Sequence, residues 1–210
     1  EVTLVEIDRE VVEVSRQYLP SVSGGAFEDP RARLRFEDGY AFVQSAAERF
    51  DVIIVDAPDP IGPGKQLFAP DFYNRLDAIL NPGGIVAVQS ESPLLMATQT
   101  AVTHLNLRAV FPLVQTYLGA VPAYPGTLWS YTLAFQAPSV PLEAQELARR
   151  FQERGLVTRY YTPQLHQAAL CLPAFLERFL AESLAAGRPA EEHPFFPEAR
   201  GITVKEPERD

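Results

Sequence analysis

The sequence has few of the residues that anchor several common chemistries. Its 210 residues include one cysteine, one methionine, one tryptophan and three histidines. A lone Cys171 cannot close an internal disulfide or furnish a cysteine-based zinc site. No apolar run reaches the roughly 18 residues that a membrane-spanning helix needs. The opening residues, EVTLVEIDRE, carry neither the basic start nor the apolar stretch of a signal peptide. Basic charge is also scarce: 18 Lys and Arg face 27 Asp and Glu, giving a net charge of −9. Such a chain is a poor partner for nucleic acid or for an anionic membrane surface. It is compatible with a cationic ligand, although many soluble proteins are equally acidic and charge alone favours an ordinary acidic surface. Glu1 is not a translation start and Met96 is the only methionine, so the sequence is expected to be a piece of a longer one.

What is present is an alternation of β-rich runs and amphipathic stretches. Strands are expected at Val2–Ile7, Arg33–Phe36, Phe50–Val55 and Ile85–Gln89, then at Leu113–Ala120 and Leu128–Gln136. Helices are expected at Glu10–Leu19, Ala41–Arg49, Asp71–Leu80, Leu94–Val110, Leu142–Arg154 and Pro173–Leu184. The run FDVIIV reads as a parallel strand covered on both faces. Ser21–Pro30 and Ala57–Lys65 read as loops, and Asn81-Pro82-Gly83-Gly84 as the close of a helix. This order predicts an α/β fold with an open, doubly wound, mainly parallel sheet over residues 1–185. Residues 186–210 lose periodicity and read as a mobile Pro- and Glu-rich tail in which Phe195-Phe196 could dock.

Ligands of such sheets bind at the carboxyl ends of the strands. Polar or acidic residues close each of the first four: Glu6 and Asp8, Asp38 and Gly39, Asp56, and Gln89, Ser90 and Glu91. One acid there is ordinarily a helix N-cap, whereas several converging on one edge describe a site. Asp56-Ala57-Pro58-Asp59-Pro60 is the sharpest case, with two carboxylates in a proline-stiffened loop. Like charges so close are stabilised by a cation between them, as in a diamine or polyamine site. An Asp-Pro turn accounts for the same residues, and both readings stand at this point.

The strings LVEIDREVVEVSRQYLP, FEDPRARLRFEDGYAF, FDVIIVDAPDPIGP, VPAYPGTLWSY and YYTPQLHQAALCLP, in that order from Val2 to about Leu180, resemble the spermidine synthase (polyamine aminopropyltransferase) family. The resemblance implies a Rossmann-like fold of the kind class I methyltransferases share, and a cytoplasmic homodimer or homotetramer acting on small molecules, with neither nucleic acid nor membrane as partner. It implies transfer of an aminopropyl group from decarboxylated S-adenosylmethionine, as co-substrate, to a di- or polyamine, with no tightly bound cofactor and no metal. Carried over by position, Glu6 matches the acid on the ribose hydroxyls, and Asp38 and Gly39 the pair beside the adenine. Asp56 matches the proton acceptor, Asp59 the acid on the amine substrate, and Tyr124 the tyrosine near the reacting nitrogen. Gln89 and Glu91 fall where the family often has polar pocket residues. Trp129 either walls the amine channel or is a core tryptophan. His166 is expected to be structural, bonded to a neighbouring loop, and Cys171 to be a buried thiol. The family's β-rich N-terminal domain, first strand and GGGDGG-like loop have no counterpart here, so two open strand edges are expected in mid-sheet. A methyltransferase of the same fold and a non-catalytic polyamine- or nucleoside-binding module are the competing readings.

Overall fold

The computed structural model describes residues 1–58, 62–124, 126, 128–137, 142–192 and 194. Its first unit is β1 (Val2–Val5), α1 (Arg9–Tyr18), a short α2 (Pro20–Ser23), a 3-10 turn at Ala26–Glu28 and β2 (Ala32–Arg35). The Asp8 carboxylate accepts from the Glu10 N–H at 2.8 Å, capping α1. β1 and β2 pair in parallel, Val2 beside Ala32 through Val5 beside Arg35, as a two-stranded sheet.

The second unit follows α3 (Gly39–Ser45). It holds β3 (Phe50–Val55), a 3-10 helix at Gly62–Phe68, α4 (Pro70–Ala78), β4 (Leu80–Gln89), α5 (Ala97–Arg108), β5 (Leu113–Ala120) and β6 (Leu128–Phe135). The strands are ordered β3-β4-β6-β5. β3 and β4 are parallel, while β6 lies antiparallel to both β4 and β5. Thus β3, β4 and β5 share one direction and β6 alone opposes it, which keeps the sheet mainly parallel. Helices α6 (Ala144–Glu153), α7 (Pro163–Leu170) and α8 (Ala174–Ala186) complete the described chain.

Strand alternation decides which side of this sheet is buried. Val86 and Val88 of β4, with Val114 of β5 and Ala134 of β6, face Phe72, Tyr73 and Leu76 of α4 and Leu107 of α5 in the main core. A second cluster joins Ala97 and Ala101 of α5 to Leu176, Phe179 and Leu180 of α8.

Several sequence expectations are corrected. β3 is not covered on both faces: Val52 is 55% and Ile54 74% exposed. Among the described residues β3 pairs only with β4, and β1 only with β2, so the two expected open edges are present. Asn81–Gly84 does not merely close a helix. β4 begins at Leu80, and the register jumps from Phe50 beside Leu80 to Val52 beside Ile85, leaving these residues as a bulge. Gly83 takes φ 80°, and a Cβ on Gly84 would sit 2.9 Å from the Asn81 carbonyl oxygen. The stretch between the helices expected at Leu142–Arg154 and Pro173–Leu184, where the sequence predicts no element, contains α7, which begins at Pro163 under a Thr162 cap that accepts from the Leu165 N–H at 3.0 Å. The two expected loops also coil in part, at Pro20–Ser23 and Ala26–Glu28 and at Gly62–Phe68. Ala190, in the expected tail, packs on the α5–α8 cluster, and its N–H donates to Ser183 Oγ. Residues 193 and 195–210, including Phe195-Phe196, lie outside the described residues.

Candidate functional site

A cleft of about 330 Å³ opens at the carboxyl ends of β3 and β4, lined by Asp56, Ala57, Pro58, Gln89, Val121, Tyr124, Trp129 and Tyr131. Each lining residue arrives by a local rule. Asp56 is the first residue after β3, and Gln89 is the last of β4, its parallel neighbour. Trp129 and Tyr131 are two apart on β6 and so point to one face, with Tyr131 directly beside Gln89 in register. Tyr124 lies in the turn between β5 and β6 and stacks on Trp129, ring centres 4.5 Å apart and planes 25° from parallel. Tyr131 stacks on Tyr117 of β5 at 5.0 Å. Burial first, and the neighbouring Asp56 carboxylate second, push the Tyr131 phenol up.

Glu91 is 3% exposed and holds φ 67°, a left-handed conformation unusual for a residue with a Cβ. It is fixed from both sides. Its N–H donates to Gln89 Oε1 at 3.1 Å, and its carbonyl accepts from the Ser130 N–H at 2.8 Å. Beneath it runs a buried hydroxyl ladder. Ser130 Oγ lies 2.9 Å from the Ser90 carbonyl oxygen, and Thr100 Oγ1 donates to that same oxygen at 2.8 Å. Ser90 Oγ is 2.8 Å from Thr132 Oγ1, which is 3.3 Å from Thr116 Oγ1, which is 3.0 Å from His104 Nδ1. Burial, then the Arg108 charge, lower the His104 pKa to about 4.

The other expected residues gather elsewhere. Glu6 follows β1, its N–H donating to the Arg35 carbonyl and one carboxylate oxygen accepting from the Asp8 N–H at 2.9 Å. Asp38 is the N-cap of α3, with Oδ1 accepting from the Ala41 N–H at 2.9 Å. Gly39 opens that helix, and among the described residues no atom outside its chain neighbours and its own helix backbone lies within 4 Å of where its side chain would begin. None of these three lines the cleft. The structure thus brings together Asp56, Gln89, Tyr124 and Trp129, with Glu91 hydrogen-bonded to Gln89, and leaves Glu6 at the end of β1 and Asp38 and Gly39 at the start of α3. Asp59 lies outside the described residues, so the paired-carboxylate reading rests on sequence.

Tyr131 and Val121 are lining residues that the sequence reading missed. The signal for Tyr131 was its period-two spacing from Trp129 in a strand. His166 behaves as expected, its Nδ1 3.3 Å from the Tyr161 hydroxyl in the preceding loop. Cys171 does not: it is exposed at the end of α7, its thiol 3.4 Å from the Gln167 carbonyl oxygen. The apolar neighbours Leu170 and Leu172 misled because the helix stops there and turns Cys171 outward. Among the described residues no group of three or more His, Cys, Asp or Glu stands together to hold a metal ion, and no helix is long and apolar enough to cross a membrane.

Known proteins resemble this arrangement over most of the chain. A polyamine aminopropyltransferase of Pectobacterium carotovorum is 41% identical over 176 residues, covering 83% of this chain and 61% of the relative. One of Moorella thermoacetica is 42% identical over 179 residues, covering 85% and 61%. Among solved structures, a spermidine synthase in complex with the transition-state analogue AdoDATO is 31% identical with a TM-score of 0.78, covering 86% of this chain and 61% of that one. The spermidine synthase of Thermotoga maritima is 30% identical with a TM-score of 0.77, covering 86% and 60%. The chain therefore spans about three fifths of the length of the relatives it matches. The family model for the spermine/spermidine synthase domain matches residues 1–144, and with these relatives it establishes that the chain belongs to the spermine/spermidine synthase family.

Proposed function

We propose that this chain carries the amine-facing part of a polyamine aminopropyltransferase. The acceptor would be a di- or polyamine, putrescine giving spermidine first among them. The observation that carries the reading is the cleft in which an exposed carboxylate, Asp56, faces an aromatic wall of Tyr124, Trp129 and Tyr131 at the strand ends. Family membership supplies the donor, decarboxylated S-adenosylmethionine, as co-substrate. In the reaction an amine nitrogen forms a bond to the aminopropyl carbon next to sulfur. The carbon–sulfur bond breaks, its electron pair goes to sulfur, and neutral 5′-methylthioadenosine leaves. The attacking nitrogen, neutral once its proton has passed to Asp56, becomes the secondary ammonium of the product, which keeps its protons at pH 7.

An amine arrives protonated, and removing a proton of lysine-like pKa at pH 7 costs roughly 4–5 kcal/mol. Asp56 takes that proton as general base, and the aromatic wall weakens hydration of the incoming ammonium. Glu91, and Asp59 on its sequence position, hold the distal ammonium so that nitrogen, carbon and sulfur align. Tyr124 orients the reacting nitrogen. Glu6, Asp38 and Gly39 take the nucleoside at the ends of β1 and β2, where a ribose and an adenine lie in this class of fold. The whole is read as a cytoplasmic homodimer or homotetramer with small-molecule partners, as the family resemblance implies.

The test is release of methylthioadenosine by the full gene product from decarboxylated S-adenosylmethionine with putrescine, cadaverine, agmatine or spermidine. Asp56→Asn should lower kcat by about 10²- to 10⁴-fold and leave donor affinity near wild type. Glu6→Gln should instead raise the donor KM and spare kcat. Absence of release with all four amines, or methyl transfer from S-adenosylmethionine in its place, overturns the reading.

A further inference from the structure

Gln89 is 8% exposed at the junction of β4, the Asp56 loop and β6, and its amide is fully used by the protein. Nε2 donates to the Ala57 carbonyl at 3.1 Å and to Glu91 Oε1 at 3.2 Å. Oε1 accepts from the Trp129 indole N–H at 3.1 Å and from the Glu91 backbone N–H at 3.1 Å. An amide has two N–H donors and two acceptor positions, and all four are taken. The partners also fix which way the amide points. Indole and backbone N–H groups only donate, and the Ala57 carbonyl and the Glu91 carboxylate only accept, so the reversed amide would lose every bond.

Each partner matters to the cleft in a different way. Ala57 follows Asp56 directly, so a tether on its carbonyl restrains the backbone that carries the Asp56 carboxylate. Trp129 is the wall on which Tyr124 stacks. Glu91 is held by Gln89 at both its N–H and its carboxylate, in a left-handed backbone that needs support. With no hydrogen-bonding capacity left over, Gln89 is not placed to bind an amine itself.

We infer that Gln89 is a positioning residue that clamps the proton-accepting loop, the acid at Glu91 and the aromatic wall into one geometry. The inference rests on the aminopropyl-transfer reading for its effect on turnover, and on hydrogen bonds alone for its effect on Trp129. A displacement of about 1 Å at a reacting group is enough to cost a large factor in rate, so release of the loop should act on kcat.

Two variants separate the halves of the clamp. Gln89→Leu removes all four bonds. Gln89→Glu keeps the accepting half, toward Trp129 and the Glu91 N–H, and loses the donating half. The full gene product is assayed for methylthioadenosine release, and Trp129 emission is isolated by subtraction of a Trp129→Phe variant. Both Gln89 variants should lower kcat by about 10- to 100-fold with donor KM unchanged. Only Gln89→Leu should shift the Trp129 emission maximum. A kcat within twofold of wild type in both variants overturns the inference. So does a loss confined to amine KM with unchanged emission in both, which would place Gln89 on the substrate. If Gln89→Leu does not fold, the Gln89→Glu pattern of lost kcat with wild-type emission decides alone. If the wild type transfers no aminopropyl group, the functional reading fails, and the emission shift in Gln89→Leu, present or absent, still decides the clamp.

Discussion

The two sheets are built from similar strand sequences but differ sharply in burial. VTLV of β1 and ARLR of β2 bury no residue, and α1 buries only Val12. β4, reading IVAVQ at its end, buries Val86, Val88 and Gln89, and α4 beside it buries Phe72, Tyr73 and Leu76. Val2 and Leu4 are 65% and 40% exposed, although nothing in their chemistry separates them from Val86 and Val88 at 0%. The difference lies in neighbours. β4 is paired on both sides and faces α4 and α5, whereas β1 has one partner strand among the described residues. Apolar sequence sets a demand for burial, and layers and partner strands decide whether it is met.

The contrast extends to the proposed site. The cleft residues Asp56, Gln89, Trp129 and Tyr131 stand in or at the ends of strands of the packed sheet. Glu6 stands at the end of the exposed sheet, whereas Asp38 and Gly39 open α3, whose Val43 is buried in the main core.

The comparison is sharpened most by a core deletion. Leu76→Ala, at a fully buried position in α4, should cost about 2–5 kcal/mol in urea unfolding, while Leu4→Ala in β1 should cost well under half of that. Equal costs would mean that β1 is packed in solution. Next comes acid. His104 belongs to the packed half and has its pKa lowered from 6.5 to about 4 by burial and Arg108. The unfolded chain then takes up the proton first, so stability should be flat above about pH 6.5 and fall as pH drops toward 4. The His104 contribution to that fall is up to about 3 kcal/mol. Unfolding midpoints at pH 7 and pH 5 measure it, and His104→Gln should flatten the difference. The smallest effect is expected at the open edge of the packed sheet. Ile54, 74% exposed on β3, should tolerate Thr within about 0.5 kcal/mol. A cost above about 2 kcal/mol would show that this face is covered in solution.

Much of this arrangement was legible in the residues, and the legible parts share a physical cause. FDVIIV, LVQTYLGA and LWSYTLAF announce strands by β-branched and aromatic content. Asp8 and Asp38 sit where N-caps belong, and the resemblance strings led to the family that residues 1–144 match. The misses share a cause as well. α7 went unread because its signal is a Thr-Pro cap, not an amphipathic stripe. The bulge at Asn81–Gly84 looks, in sequence, like any Pro-Gly turn. Cys171 was misplaced because flanking leucines say nothing about which way a chain turns as a helix ends.

The sequence by itself determined the order of elements, their caps and the acids at their ends, because these depend on side-chain shape and on bonds between residues a few positions apart. Only the tertiary structure decided that Ile54 is exposed while Val86 is buried, that Tyr131 stands near Asp56, and that Gln89 ties Ala57, Glu91 and Trp129 together. Those facts depend on register between strands 30 to 40 residues apart, and a register fixed by packing across a sheet leaves no local trace in the chain.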